Sequence, residues 1–133
     1  MNLTGIVVHG KKLARKIGFP TANLEIENQN YCCGLQKGVY AVLVQHENMK
    51  YEGVMNIGYR PTVSETNSTM TIEVHILDFD KQIYTHPLEV QPLSYIRDER
   101  KFNSLNELKD QISKDIQMAR KAFLKRGQLN HVK

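Results

Sequence analysis

Pro20-Thr21-Ala22-Asn23 is the first place in the chain where side chains could do chemistry. Alternation along an extended segment puts the Thr21 hydroxyl and the Asn23 amide on the same side. Both offer neutral oxygens, which suit a hard cation such as Mg2+ that keeps its waters and takes further ligands from substrate phosphates. The pair fits a metal that arrives with its substrate. It also fits a turn and cap in which Thr and Asn satisfy nearby backbone groups. Glu73 is the second candidate. It stands inside an alternating run, so it either faces water or, if its face lines a site, accepts a proton from an attacking hydroxyl.

Two irregular stretches flank these residues. Residues 10–21 carry Lys11, Lys12, Arg15 and Lys16 together with Gly18 and Pro20. That is the composition of a phosphate-binding flap, in which glycines let backbone N–H groups approach an anion and cations neutralise it. It is not a Walker A loop, and a merely mobile loop has the same composition. Residues 58–69, rich in Ser, Thr and Asn around Arg60 and Pro61, form the second expected loop.

The elements that would position these residues are mostly strands. Runs over 4–9, 39–46, 51–57, 70–77 and 88–96 have β character, with Glu47 and Asn48 as a hairpin turn. The run 39–46 is apolar on both faces. In 70–77, Met70, Ile72, Val74 and Ile76 share one face and Thr71, Glu73 and His75 the other. Pro92 predicts an edge or a bulge. The period then changes: Leu105, Leu108, Ile112, Ile116, Ala119 and Phe123 recur at helical steps, which predicts a helix over 105–125. Ser104 and Glu107 have capping-box spacing, Gly127 is the expected stop, and 128–133 the expected frayed tail. Strands followed by one helix predict an antiparallel sheet or barrel with the helix packed against it; periodicity does not separate barrel from sandwich.

Bulk properties bound the function. A chain of 133 residues, 41% hydrophobic and 24% charged, suits one globular domain. Its start has no secretory pattern and no apolar run is long enough to span a bilayer, so a cytoplasmic protein without a membrane partner is expected. Cys32 and Cys33 are adjacent, which is the wrong spacing for a zinc site or a disulfide framework. The net charge of +4 gathers in 11–16, 97–101 and 120–126. Such clusters attract nucleic acid or a small polyanion such as ATP, and on a helix they also form an ordinary solvated face.

In order along the chain come Gly5-Ile6-Val7-Val8-His9-Gly10, Arg15-Lys16-Ile17-Gly18-Phe19-Pro20-Thr21-Ala22-Asn23-Leu24, Gly38-Val39-Tyr40, Asn56-Ile57-Gly58-Tyr59-Arg60-Pro61-Thr62, Ile72-Glu73-Val74-His75-Ile76-Leu77-Asp78 and Tyr95-Ile96-Arg97-Asp98-Glu99-Arg100-Lys101-Phe102. This series, spanning roughly 4–123, resembles the riboflavin kinase family. The resemblance implies a mainly β fold, a six-stranded antiparallel Greek-key barrel with a C-terminal helix, over residues 1–127 and followed by a 128–133 tail. It implies transfer of the ATP γ-phosphate to the 5′-hydroxyl of riboflavin, giving FMN and ADP. Thr21 and Asn23 would hold Mg2+, and Gly10 and Lys16 would belong to the nucleotide flap. Ile76, Asp78 and Tyr84 would border the nucleotide. Glu73 would be the catalytic base, and Arg97, Arg100 and Phe102 would contact the flavin.

Leu13-Ala14-Arg15 stands where the family commonly has Arg-Gly-Arg, and Thr85 where a glycine usually follows the tyrosine. Bacterial relatives usually carry an N-terminal FMN adenylyltransferase domain, which this sequence does not contain. Two other readings compete: a non-catalytic flavin-binding sensor, and a small basic barrel that binds RNA. Retention of Thr21, Asn23 and Glu73 argues against the first. The lack of Trp and of a clustered aromatic surface argues against the second, so the expected partners are small molecules and not nucleic acid.

Overall fold

The computed structural model describes residues 2–8, 18–26, 35–61, 68–79 and 81–131. Six strands, β1 (Leu3–Val8), β2 (Ala22–Ile26), β3 (Gly38–His46), β4 (Met49–Pro61), β5 (Ser68–Ile76) and β6 (Pro87–Arg97), precede one helix, α1 (Leu105–His131). The strands close into an antiparallel barrel in the order β1-β2-β5-β4-β3-β6. Three consecutive antiparallel strands, β3 to β5, are joined by β6 returning to lie beside β3, which is the Greek-key arrangement. Among the described residues no helix is long and apolar enough to cross a membrane.

Period-two alternation explains the core. Leu3 and Val7 of β1, Leu24 and Ile26 of β2, Val42 and Val44 of β3, Met55 and Ile57 of β4, Ile72, Val74 and Ile76 of β5, and Leu88 and Val90 of β6 fill the interior. The face of β5 that carries Thr71, Glu73 and His75 points outward. β3 is apolar on both faces because it is buried twice. Tyr40, Val42 and Val44 point inward, whereas Val39 and Ala41 lie under Ala119 and Phe123 of α1 in a second cluster. The β3–β4 turn has Glu47 at φ 48° and Asn48 at φ 68°, the paired left-handed residues of a two-residue hairpin.

Pro92 is absorbed by bulges. Val42 pairs with Pro92 but Ala41 with Ser94, and Tyr40 pairs with Tyr95 but Val39 with Arg97. Gly38, at φ 145°, has no room for a side chain: a Cβ there would lie 2.6 Å from the Arg97 carbonyl.

Two expectations change. Residues 58–69 are not one loop, because β4 continues to Pro61 and β5 begins at Ser68, with Gly58 opposite Thr71 and Pro61 opposite Ser68. Backbone pairing with a neighbour overrides a polar composition that alone reads as loop. The six strands are the number the resemblance implies, the sixth being β2, too short for its own alternation to declare itself. The helix runs past Gly127 to His131, since glycine inside a helix costs only about 1 kcal/mol relative to Ala. At its start Glu107 N–H donates to Ser104 Oγ (3.1 Å), and the return bond runs from Asn103 N–H to Glu107 Oε2 (3.0 Å).

Candidate active site

Strand register assembles the site. Asn23 of β2 is the Cα partner of Glu73 on β5, Glu73 of Asn56 on β4, Asn56 of Val39 on β3, and Val39 of Arg97 on β6. Residues directly opposite in an antiparallel ladder share a face about 4.5–5.5 Å apart. Asn23, Glu73, Asn56, Val39 and Arg97 therefore form one transverse row on the outside of the barrel.

Above most of this row lies a cavity of about 570 Å³, closed on its far side by α1 and by the segment that leads into it. Thr21, Asn56, Glu73 and His75 supply its polar side. Val39, Val54, Phe102, Leu108 and Ile112 supply apolar walls. Its size and mixture suit a drug-sized ligand with an aromatic body and a polar tail.

Arg97, Arg100 and Phe102 come together at this cavity. Arg97 Nε and NH2 donate to the two oxygens of Asp115, each at 2.8 Å, and NH1 donates to the Asp98 carbonyl at 2.9 Å. Gln111 donates a third bond to Asp115 from Nε2 (3.0 Å) and accepts one from Arg100 NH1 at Oε1 (3.1 Å). The Phe102 ring lies within 5.8 Å of the Arg97 and 5.2 Å of the Arg100 guanidinium carbon. Next to this group, Tyr95 OH donates to the Asp98 carboxylate. That bond, with some desolvation and the nearby negative charge, pushes the phenol up to about 12.

The segment before β2 is anchored to β5. His75 Nδ1 lies 2.7 Å from the Pro20 carbonyl, and since a carbonyl only accepts, that nitrogen carries the proton. Phe19 packs edge-on against the same imidazole at 5.7 Å. Gly18 at φ 91° makes the preceding turn. Thr21 is thereby held where it lines both the first cavity and a second, of about 360 Å³. The second cavity includes Ile76 and Tyr84, together with Val7, Phe79, Lys81 and Ile83.

Of the candidates read from the sequence, Thr21, Glu73, Arg97, Arg100 and Phe102 share the first cavity, and Thr21, Ile76 and Tyr84 the second. Asn23 stands beside Glu73 in the row but lines neither cavity. Asp78 is exposed, at φ 56°, with its carboxylate 3.6 Å from Arg120 NH2, and also lines neither. Gly10 and Lys16 lie outside the described residues.

Sequence reasoning missed Asp115 and Asn56 as site residues. Asp115 is 3% exposed and had a signal: an acid three residues after Ile112 and four before Ala119 sits on the apolar stripe and requires a cation. Asn56 had none. Its Oδ1 is buried in the cavity wall without a hydrogen-bond partner among the described residues.

Comparison with known proteins bears on the family of the chain. The model of the family described as Flavokinase: Riboflavin kinase matches residues 1–123. The chain is 45% identical over 121 residues to the RNA-binding riboflavin kinase RibR of Bacillus subtilis, across 91% of this chain and 50% of that protein. It is 43% identical over 122 residues to the bifunctional riboflavin kinase/FMN adenylyltransferase of the same organism, across 91% of this chain and 38% of that one. The chain thus spans half or less of these curated relatives. Among solved structures, riboflavin kinase from Trypanosoma brucei superposes with a TM-score of 0.66 at 29% identity, over 97% of this chain and 82% of that one.

Proposed function

The chain belongs to the riboflavin kinase family, and from that premise we propose that it moves the γ-phosphate of ATP onto the 5′-hydroxyl of riboflavin, releasing FMN and ADP. The observation that carries this reading is the row Asn23–Glu73–Asn56–Val39–Arg97, flanked by Thr21 at the junction of two cavities. Two substrates must meet at one reacting oxygen, and a residue shared by two adjacent cavities marks such a meeting point.

In this reading the first cavity takes the flavin. The isoalloxazine packs against Phe102, Leu108 and Ile112, and the ribityl chain runs toward the polar row. Glu73 accepts the proton of the 5′-hydroxyl as its oxygen bonds to the γ-phosphorus and the bond to the ADP oxygen breaks. Asn56 Oδ1, an acceptor without a donor among the described residues, takes a hydrogen bond from a ribityl hydroxyl. The second cavity takes the nucleotide, against Ile76 and Tyr84, with Asp78 at its margin and Gly10 and Lys16 in the flap.

The donor set near Thr21 fits Mg2+: neutral oxygens on Thr21 and Asn23 with the Glu73 carboxylate adjacent in register, all hard ligands. Mg2+, when bound by Thr21 and Asn23, would offset the charge of the transferring phosphate. The partners on this reading are small molecules, not nucleic acid, and the protein acts in the cytoplasm; an N-terminal adenylyltransferase domain accompanies the kinase in the bifunctional relatives.

Glu73→Gln tests the assignment. The amide keeps the shape of the side chain but cannot take the proton, so turnover is expected to fall about 10²–10⁴-fold with riboflavin affinity nearly unchanged. Near-normal FMN formation, read by chromatography with ATP and Mg2+ present, would remove Glu73 as the base. If the wild-type chain binds riboflavin but forms no FMN, the kinase reading fails and a binding module remains.

A further inference from the structure

The β3–β4 turn meets the connection into β6 through three side chains that the proposed reaction leaves unused. His46 ends β3 and is 5% exposed, Glu47 is the first turn residue, and His86 directly precedes β6. His46 Nε2 lies 2.9 Å from His86 Nδ1, and Glu47 Oε1 lies 3.9 Å from the first nitrogen and 3.7 Å from the second.

The two ring planes differ by 9°, with centroids 5.2 Å apart. That spacing is the N···N distance plus one ring radius at each end, so the rings lie end to end and share an in-line hydrogen bond. Two nitrogens and one carboxylate oxygen thus converge from three residues, with all ligand atoms within 4.8 Å of one another.

We infer that His46, Glu47 and His86 form a binding site for a borderline transition-metal ion of the Zn2+ class, in which the ion replaces the proton shared by the two imidazoles. The three separations define a triangle whose centre is about 2.1 Å from each atom, the length of Zn–N and Zn–O bonds. Tetrahedral geometry needs ligand–ligand edges of about 3.4 Å, so the imidazoles must part by about 0.5 Å and turn off their common axis. His86, with its side chain 40% exposed, has the freedom to do so, and Glu47, 71% exposed, has more. The same exposure leaves the fourth position open to water. Two nitrogens select Zn2+, Ni2+ or Co2+ over Mg2+, which demands oxygen ligands.

The ion would clamp one wall of the second cavity. Phe79, which lines that cavity, packs edge-on against His46 at 5.6 Å. His86 N–H donates to the carbonyl of Ile83, which lines it too (3.0 Å). The inference does not rest on the kinase reading, because the ligands and their geometry stand whichever substrate the cavity takes.

The test is a Co2+ titration followed by visible d–d absorption, and a Zn2+ titration followed by thermal unfolding, with Mg2+ in excess. Both use a Cys32→Ser/Cys33→Ser background, so that thiolates do not compete. The parent should saturate at one equivalent and gain about 5 °C or more in Tm at saturating Zn2+. His86→Gln should weaken Co2+ binding at least tenfold and abolish the Zn2+ shift, and Glu47→Gln should weaken both by less. If His86→Gln does not unfold cooperatively, the exposed Glu47→Gln provides the reading alone. No saturable absorption in the folded parent, or equal binding by the variants, would overturn the site and leave the imidazole pair as a hydrogen-bonded clamp.

Discussion

Asp115→Asn removes a charge from the helix without changing the shape of the side chain, and its effect follows from the bonds it breaks. Asp115 is 3% exposed and accepts from Arg97 Nε and NH2 at 2.8 Å and from Gln111 at 3.0 Å. An amide offers one acceptor in place of two and turns an N–H pair toward a guanidinium that only donates. Breaking a fully buried pair costs about 3–5 kcal/mol. Here the Arg97 side chain is 21% exposed and keeps its bond to the Asp98 carbonyl, so water and that carbonyl hold part of the charge. The expected loss is therefore about 2–3 kcal/mol. In urea this lowers the unfolding midpoint by roughly 1–2 M at unchanged slope. Riboflavin affinity should fall about tenfold, because the pair holds Arg97 at the cavity. Arg97→Met/Asp115→Leu should recover most of the stability, because two apolar groups leave no buried charge behind, and should not recover flavin binding. A loss below about 0.5 kcal/mol in Asp115→Asn would refute the reasoning, since surface substitutions do no worse.

Asn56→Leu removes a buried oxygen that has no partner among the described residues and should leave the fold as stable or up to about 1 kcal/mol more stable, while lowering FMN formation; thermal unfolding and the kinase assay run side by side check both. Gly38→Ala forces a side chain into a left-handed position 2.6 Å from the Arg97 carbonyl and should cost about 1–3 kcal/mol, read by urea unfolding. Tyr95 should ionise near pH 12 in an ultraviolet titration, and Asp98→Asn should bring it back toward 10. Because its folded-state pKa lies above the unfolded value of 10, the Tyr95 contribution to stability is whole below pH 10 and lost as pH rises toward 12.

The part of the fold legible in the sequence is the part governed by period. Alternation in 70–77 separates Ile72, Val74 and Ile76 from Glu73 and His75, and the structure keeps that division. Helical spacing finds the α1 stripe from Leu108 to Phe123. What period does not carry is which face matters and which strands are neighbours. Nothing local says that Asn56 and Val39 lie beside Glu73, because their adjacency depends on register between strands 17 to 34 residues apart in sequence. Asp115 was legible as an acid on an apolar stripe, but its partner Arg97, across a strand end and a cap, was not. The polar ends of β4 and β5 read as loop because composition reports solvation, whereas strand ends form wherever a paired neighbour supplies the hydrogen bonds.

The row across the barrel gives these motifs a common physical reason. Pro20-Thr21-Ala22-Asn23, Gly38-Val39, Asn56-Ile57-Gly58, Ile72-Glu73-Val74 and Ile96-Arg97 sit on five strands, and each places one residue at the same level of the outer wall. The interior behind this row is packed solid by Leu3, Met55, Ile57 and Leu88, and the inward-facing Val7 and Ile76 border only the second cavity. A site over the row must then form outside, where a bare sheet offers only a shallow surface. The helix supplies the missing wall, and Arg97–Asp115 is the bond that ties it over the row. On this argument the depth of the cavity depends on α1 and the chemistry on β5. Substitutions on the helix should therefore change flavin affinity before turnover, and Glu73→Gln should do the reverse.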